Sequence, residues 1–287
     1  MREYLKNNRV LGPVVRLVAE LIRNTKDNRD VRKKYRAYHH VLARNAELKN
    51  AYAGKRCFIL ATGPSIKTQD LTGLSGEISI SVSNFFVHPD FKVIAPTFHL
   101  FAPSHRPITE EHLVAWFADA EKHFPQNQKV LVSATDRAVV EKHNLFRKQK
   151  VYYYLLGNGH ADQTRESINL SGVLPKITTV PHVALYLACY LGCRDICLLG
   201  CDHNWSLVPG ENGHFYEKEE NILIKTSREL KSQTRDTETR FKLYAGIWET
   251  YKEIARYAFN HGIKIWNCTP GSMLDVFPRK ELKEMIN

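Results

Sequence analysis

Short apolar runs recur along the chain from residue 57, and each ends in small or polar residues. Cys57–Ala61, Ile78–Val82, Thr97–Phe101, Lys129–Ser133, Val151–Leu156, Asp195–Leu199 and Ile263–Asn267 have the length and composition of strands. Between them the spacing changes to the three-and-four pattern of helices. Glu110–His123, Asp136–His143 and Glu238–Asn260 read as helices. So does a segment capped by Thr178 or Thr179 that runs to Leu191, with Pro181 tolerated in its first turn. Residues 157–176 read as a loop, and the polar stretch after Asp202 as a loop leading into one or two helices. The strand runs are nearly continuous in apolar residues, which marks strands buried on both faces. Strands alternating with helices then predict an α/β fold, a Rossmann-like, mostly parallel sheet with helices on both faces.

The first fifty residues follow another pattern. Val10, Leu11, Val14, Val15, Leu17, Val18, Leu21 and Ile22 keep largely to one helical face, with Arg9, Arg16, Arg23 and Lys26 elsewhere. Gly12-Pro13 interrupts the pattern, so a helix should start near Pro13. Over Val31–Asn50, Arg32, Lys33, Lys34 and Arg36 are interleaved with Tyr35 and Tyr38. Thirteen Lys and Arg against five Asp and Glu give residues 1–50 a net charge of +8, most of the chain's +11. We therefore expect a basic amphipathic helical arm over residues 1–53, outside the core of a catalytic domain over 54–287. Two readings of the arm stay open. One is a helical hairpin docked on the domain or on a second copy in a homo-oligomer; the other is an interfacial helix on an anionic membrane surface. No recognisable nucleic-acid-binding module accompanies the charge, so a nucleic-acid partner is not expected.

At 287 residues the chain can bury a sufficient core without disulfides or a structural metal. No run of eighteen apolar residues occurs, and Arg16 and Glu20 break the stretch Val10–Ile22, so neither a membrane span nor a secretory signal is read. The expected location is cytoplasmic, with peripheral attachment to the inner membrane face through the arm. Cys189, Cys193, Cys197 and Cys201 recur every four residues, but Gly192 ends the helix and a strand follows. The thiols should scatter as small buried hydrophobes, and no metal site is expected from them.

In parallel sheets of this kind, ligands sit beyond the carboxyl ends of the strands. The polar residues there are Thr62-Gly63-Pro64-Ser65, Ser83-Asn84, Asp202-His203-Asn204-Trp205 and Asn267-Cys268-Thr269-Pro270-Gly271-Ser272. The Gly63-Pro64-Ser65 turn lets backbone approach an anion. It is neither a Walker A loop, lacking Gly-Lys-Ser/Thr, nor a dinucleotide fingerprint.

The segment Cys57-Phe-Ile-Leu-Ala-Thr-Gly-Pro-Ser65 resembles the opening strand and turn of the bacterial sialyltransferases of glycosyltransferase family 42. It resembles more closely a related group labelled 6-hydroxymethylpterin diphosphokinase-like. Ser83-Asn84, Ile177-Thr-Thr-Val-Pro-His182 leading to Cys197-Leu-Leu-Gly-Cys-Asp-His-Asn-Trp205, and Gly262-Ile-Lys-Ile-Trp-Asn-Cys-Thr-Pro-Gly-Ser272 agree in the same order, over residues 54–280.

The resemblance implies a glycosyltransferase that takes a CMP-linked acidic, sialic-acid-like sugar to a glycan or glycolipid acceptor, with inversion, in surface polysaccharide or lipopolysaccharide synthesis. By position, Thr62, Gly63, Pro64 and Ser65 would hold the nucleotide and Asn84 would reach the donor phosphate or sugar. Thr178 and Thr179 would favour a donor carboxylate or phosphate, and Asp202 with Thr269, Gly271 and Ser272 would border the nucleoside. Asn204 and Tyr216 complete the expected substrate contacts. The chain departs from the family pattern at Thr62 and Ala102, both Asn there, and near Asn204, where a family tyrosine falls. Tyr244 or Ala245 stands where the family has its catalytic His.

A general base with a pKa near neutral suits histidine. Of the thirteen His, His203 follows Asp202 at a strand end, and His214 lies in the same loop. Two turn signals between them, Pro209-Gly210 and Asn212-Gly213, suggest that the loop folds back and brings both rings over one crevice. Asp202, His203 and His214 are thus the expected catalytic residues, with His160 and His182 behind them. The transfer requires no cofactor. A Mg²⁺ requirement would mark the alternative, diphosphoryl transfer from ATP to a pterin-like alcohol. A non-catalytic nucleotide-sugar-binding assembly protein is the third reading.

Overall fold

The computed structural model describes residues 29–105, 108–157, 168–204, 213–216 and 236–286. The helix expected from Pro13 and the candidate His160 lie outside these residues. Eight parallel strands form one sheet: β1 (Arg56–Leu60), β2 (Ser79–Val82), β3 (Phe98–Leu100), β4 (Lys129–Ser133), β5 (Lys150–Leu156), β6 (Val173–Leu174), β7 (Asp195–Leu199) and β8 (Lys264–Asn267). Their order is β6-β5-β4-β3-β2-β1-β7-β8. The predicted α/β, Rossmann-like architecture is what the chain adopts. Seven strands lie where the apolar runs predict them. The eighth, β6, falls within the segment read as a loop; two residues long, it is too short to show any periodicity.

Among the described residues the α-helices are α1 (residues 29–42), α2 (Phe91–Ile94), α3 (Glu110–His123), α4 (Arg137–Lys142), α5 (Val180–Tyr190), α6 (Thr237–Asn260) and α7 (Lys283–Ile286). None described is long and apolar enough to cross a membrane. α3 begins in a reciprocal capping box of Thr109 and His112, and Asp236 caps α6 by accepting from Thr239 N–H at 2.9 Å.

Alternation along β1 divides the core between two layers. Phe58 and Leu60 face the segments that connect β1 through β5, including Phe85 and Phe91 and, from α3, Trp116 and Phe117. Cys57 and Ile59 face α5 and α6, whose Leu185, Tyr251 and Ile254 are fully buried. The chain thus builds outward from β1 under one face, then crosses back by α5 to lay β7 on the other side of β1. The order reverses between β1 and β7, and in parallel sheets such a reversal is where ligands meet the carboxyl ends of the strands. β1 and β7 run level, Leu60 beside Leu199, so the loops after them start at the same height.

The last part of the expected arm is built into the domain. Leu42 and Asn45 are fully buried and Leu48 nearly so. Asn45 Nδ2 donates to the carbonyls of Tyr153 (2.7 Å) and Leu170 (2.8 Å), and Tyr152 donates its hydroxyl to Glu47 (2.5 Å). Backbone N–H groups of Asn50 and Tyr52 donate to Tyr190 and Leu191 at the end of α5. The core therefore extends back to Leu42. The basic residues Arg29, Arg32, Lys33 and Arg36 of α1 remain exposed. The six cysteines are all buried as free thiols, Cys189, Cys193 and Cys201 in one layer and Cys197 in the other.

Candidate active site at the strand ends

At the crevice, Ser65 and Asp202 clasp the β1 and β7 loops together. Ser65 donates its backbone N–H to Asp202 Oδ1 at 3.0 Å and its hydroxyl to Oδ2 at 2.8 Å. Gly63 N–H donates to the Gly200 carbonyl at 2.8 Å. Glycine is required at both places. A Cβ on Gly63 would stand 1.9 Å from Asp202 Oδ2, and Gly200 combines φ +66° with a Cβ position 2.7 Å from the Ala61 carbonyl oxygen. Asp202 is buried, which raises its carboxyl pKa against the lowering effect of the two Ser65 bonds.

Around the clasp runs a second hydrogen-bonded group. Phe215 N–H donates to the Thr62 carbonyl at 2.8 Å, which brings residues 213–216 back onto the β1 loop. Thr62 Oγ1 lies 3.0 Å from His214 Nδ1. Tyr216 is buried, which raises its pKa to about 12 against the lowering effect of Asn84 and Thr62 nearby. Asn84 is buried and its Oδ1 accepts from Trp116 Nε1. The His214 and Tyr216 rings stack with centroids 5.0 Å apart, and His214 remains exposed. Asn84, Tyr216, Thr62 and His214 thus form one polar cluster beside the Gly63–Ser65 turn.

His203 points elsewhere. It takes φ +54°, its Nε2 lies 2.9 Å from the Tyr251 hydroxyl, and its ring contacts Trp248 edge-on at 5.7 Å. Both partners belong to α6, whereas His214 meets Thr62 and Tyr216 near the opposite layer. Burial lowers the His203 pKa to about 4. The two rings expected over one crevice therefore have separate settings. His182, in the first turn of α5, packs edge-on to Tyr251 at 4.3 Å with both ring nitrogens buried and without hydrogen-bond partners among the described residues. Burial, then the proximity of His203, pushes its pKa well below the usual histidine value.

Thr178 and Thr179 are half-buried at the start of α5, and Thr179 makes no side-chain capping bond to its own helix. Pro181 has no N–H and His182 donates its own to the Thr179 carbonyl at 3.3 Å, so an anion here would meet the Thr179 hydroxyl and the Val180 N–H. Thr269 and Ser272 have structural partners. Thr269 Oγ1 bridges Cys201 N–H and the Leu198 carbonyl, and Ser272 donates to the Cys201 carbonyl at 2.6 Å. Met273 N–H donates to the Asp202 carbonyl at 2.9 Å, so this turn braces the Asp202 backbone. Gly271 is exposed at φ +63°, and Asn204 is half-buried beside His203 in sequence. A cavity of about 820 Å³ opens past Thr269, lined by Gln69, Cys268, Pro270, Arg279 and Lys280 among others. Its size suits a nucleoside-sized ligand.

Trp116, Trp248 and Tyr251 carry roles that the sequence reading assigned to no residue. The signal available for two of them is their helical spacing with Tyr244, an aromatic stripe on α6. Among the described residues no group of three His, Cys, Asp or Glu is placed to hold a metal. Both Asp202 oxygens are taken by Ser65.

No family model and no curated protein sequence matches the chain. Among solved structures it is similar to the sialyltransferase CstII from Campylobacter jejuni in complex with a substrate analogue, cytidine-5'-monophosphate. That similarity has 14% identity and a TM-score of 0.46, over 79% of this chain and 85% of that one. Two single-site variants of CST-II in complex with CMP are similar at 16% and 15% identity, each with a TM-score of 0.47 and 85% of that chain covered.

Proposed function

We propose that this chain is a glycosyltransferase that moves an acidic, sialic-acid-like sugar from CMP to a glycan or glycolipid acceptor. The observation that carries the reading is the Ser65–Asp202 clasp at the reversal of strand order, with the hydrogen-bonded Thr62–His214 pair and the stacked Tyr216 beside it. The choice of CMP rests on the sequence resemblance of the Gly63-Pro64-Ser65 turn and its companion segments. The nucleoside would occupy the cavity past Thr269, and Thr178 and Thr179 would receive the donor carboxylate.

In this reading the acceptor hydroxyl attacks the anomeric carbon from the face opposite CMP. A new C–O bond forms as the bond to the phosphate oxygen breaks, and the electron pair leaves with CMP. The acceptor proton passes to His214. When His214 donates Nδ1–H to Thr62, Nε2 of His214 keeps the lone pair that a base requires. Tyr216, stacked on His214 beside Thr62, would turn its hydroxyl to the leaving phosphate. His203, held near pKa 4 by burial, is a poor base at neutral pH, and we assign it to positioning α6 against the β7 loop. The reaction needs no metal, and a single carboxylate already engaged by Ser65 is a poor start for a Mg²⁺ site.

The arm would hold the domain at the inner membrane face, where lipid-linked acceptors are met. The exposed basic side chains of α1 suit an anionic surface.

The test is CMP release from CMP-sialic acid in the presence of acceptor. His214→Ala should lower turnover by roughly 10²–10⁴-fold with CMP affinity nearly intact. Turnover of ATP with Mg²⁺ and a pterin alcohol, with none on CMP-sialic acid, would replace this reading by the diphosphokinase one.

A further inference from the structure

Helix α1 has two opposite faces. Val31, Tyr38 and Leu42, spaced by seven and four, meet the domain. A Cβ on Gly157 would stand 3.7 Å from Val31 Cγ2, and Leu42 and Tyr38 pack with Ala134 and Leu155. Arg29, Arg32, Lys33, Arg36 and His40, spaced by three, one, three and four, form a stripe on the opposite face, and all five are exposed. A face that is merely solvated usually mixes its signs, acids standing one turn from bases. Here Asp30, the one acid of the helix, lies off the stripe.

The partners of the docked face fix where the stripe stands. Ala134 follows β4, Leu155 is next to last in β5, and Gly157 follows β5 with its N–H on the Leu174 carbonyl of β6. Arg137, at the start of α4, reaches His40 Nε2 at 2.5 Å. All lie at the carboxyl ends of their strands, the edge on which Ser65 and Asp202 stand. β4 and β1 are three strand spacings apart, roughly 15 Å. Lys176, exposed between β6 and α5, adds a charge to the same edge. An extended row of like charges matches a flat anionic surface better than one small anion.

We propose that the stripe seats the domain on an anionic lipid surface with the carboxyl edge of the sheet toward the headgroups. The amino edge then faces away; there Phe259 stands 85% exposed in the last turn of α6, just before β8 begins. An acceptor anchored in that surface is presented directly to the crevice. This inference rests on the membrane placement proposed above and adds which side of the domain meets the lipid.

The full chain tests it. The six native thiols are buried, so a fluorophore is placed on Met273→Cys, at the carboxyl edge beside Asp202, or on Phe259→Cys. On vesicles of phosphatidylcholine and phosphatidylserine that carry a nitroxide on the headgroup, the dye on Met273→Cys should be quenched and the dye on Phe259→Cys should not. Arg32→Gln/Lys33→Gln/Arg36→Gln should keep the wild-type Tm and bind these vesicles more weakly by roughly tenfold or more, and high salt should weaken wild type likewise. The orientation is overturned if the Phe259→Cys dye is quenched, if neither dye is quenched while the protein sediments with vesicles, or if the triple variant sediments as wild type does. Tighter binding of wild type to single-stranded DNA than to vesicles overturns lipid as the partner. If wild type does not bind vesicles at all, the membrane placement itself falls. A CMP titration, which involves none of these side chains, reports on the transferase reading separately.

Discussion

Ser65 gives Asp202 both of its hydrogens, the backbone N–H at 3.0 Å and the hydroxyl at 2.8 Å, and so ties the β1 loop to the β7 loop across 137 residues of sequence. Two bonds to one buried carboxylate act as a unit. Ser65→Ala and Asp202→Asn should each destabilise the protein, and the double variant by less than their sum. The coupling expected from hydrogen bonds to a charged group is about 1–3 kcal/mol, read from denaturant unfolding in a double-mutant cycle. Additive effects would show that the clasp is not formed in solution.

Gly63→Ala tests the same junction sterically. Its Cβ would overlap Asp202 Oδ2 at 1.9 Å and the Gly200 carbonyl at 2.5 Å, both in the segment after β7. The expected result is loss of CMP binding with a clear fall in Tm. Gly271→Ala, at an open position with φ +63°, should cost only the local strain of about 1 kcal/mol. Equal behaviour of the two variants would contradict the geometry.

Buried histidines set the acid limit of the fold. Burial holds His203 at about 4 and His99 at about 3, and pushes His182 lower than the usual value. In the unfolded chain these rings titrate near 6.5. Below that pH the unfolded state binds protons that the folded state refuses, so stability present above pH 6.5 is lost as pH falls toward 4. Tm should decline steadily over this window, by the equivalent of a few kcal/mol, and His203→Gln should flatten part of the slope. A Tm constant from pH 7 to 4.5 would sink the assignment.

Truncation should separate the arm's two parts. Removing residues 1–28 should leave the domain folded, and salt-sensitive binding to anionic vesicles should weaken with the loss of arm charge. Removing residues 1–50 takes away Leu42, Asn45 and Leu48 from the core and should lower Tm sharply. Circular dichroism melts and vesicle sedimentation of both truncations give the answer. An unchanged Tm after the longer deletion would contradict the packing of Asn45.

Much of this architecture was legible because its signals are local. Seven apolar runs became seven strands, and Gly192 ended α5 as its position implied. The strand-end residues Gly63, Ser65, Asn84 and Asp202 could be nominated from the rule that ligands meet parallel sheets at their carboxyl ends. Their partners could not. Trp116 reaches Asn84 from 32 residues away and Tyr251 reaches His203 from 48, and neither pairing leaves a spacing in the sequence. The left-handed backbone of His203, which turns its ring toward α6, is equally silent in composition. Asn45 misled for the opposite reason: a polar residue in a basic stretch reads as surface, yet it is buried by two long-range carbonyl bonds.

The central claim is that the crevice held by Ser65 and Asp202 receives a CMP-linked donor. Calorimetric titration of the full chain with CMP, and separately with ADP, UMP, GDP and ATP plus Mg²⁺, tests it most directly. The account predicts saturable one-to-one binding of CMP, weaker binding of the others, and a CMP affinity that falls at least tenfold in Ser65→Ala. Preferential binding of ATP with Mg²⁺, or CMP binding that Ser65→Ala leaves untouched, would contradict it.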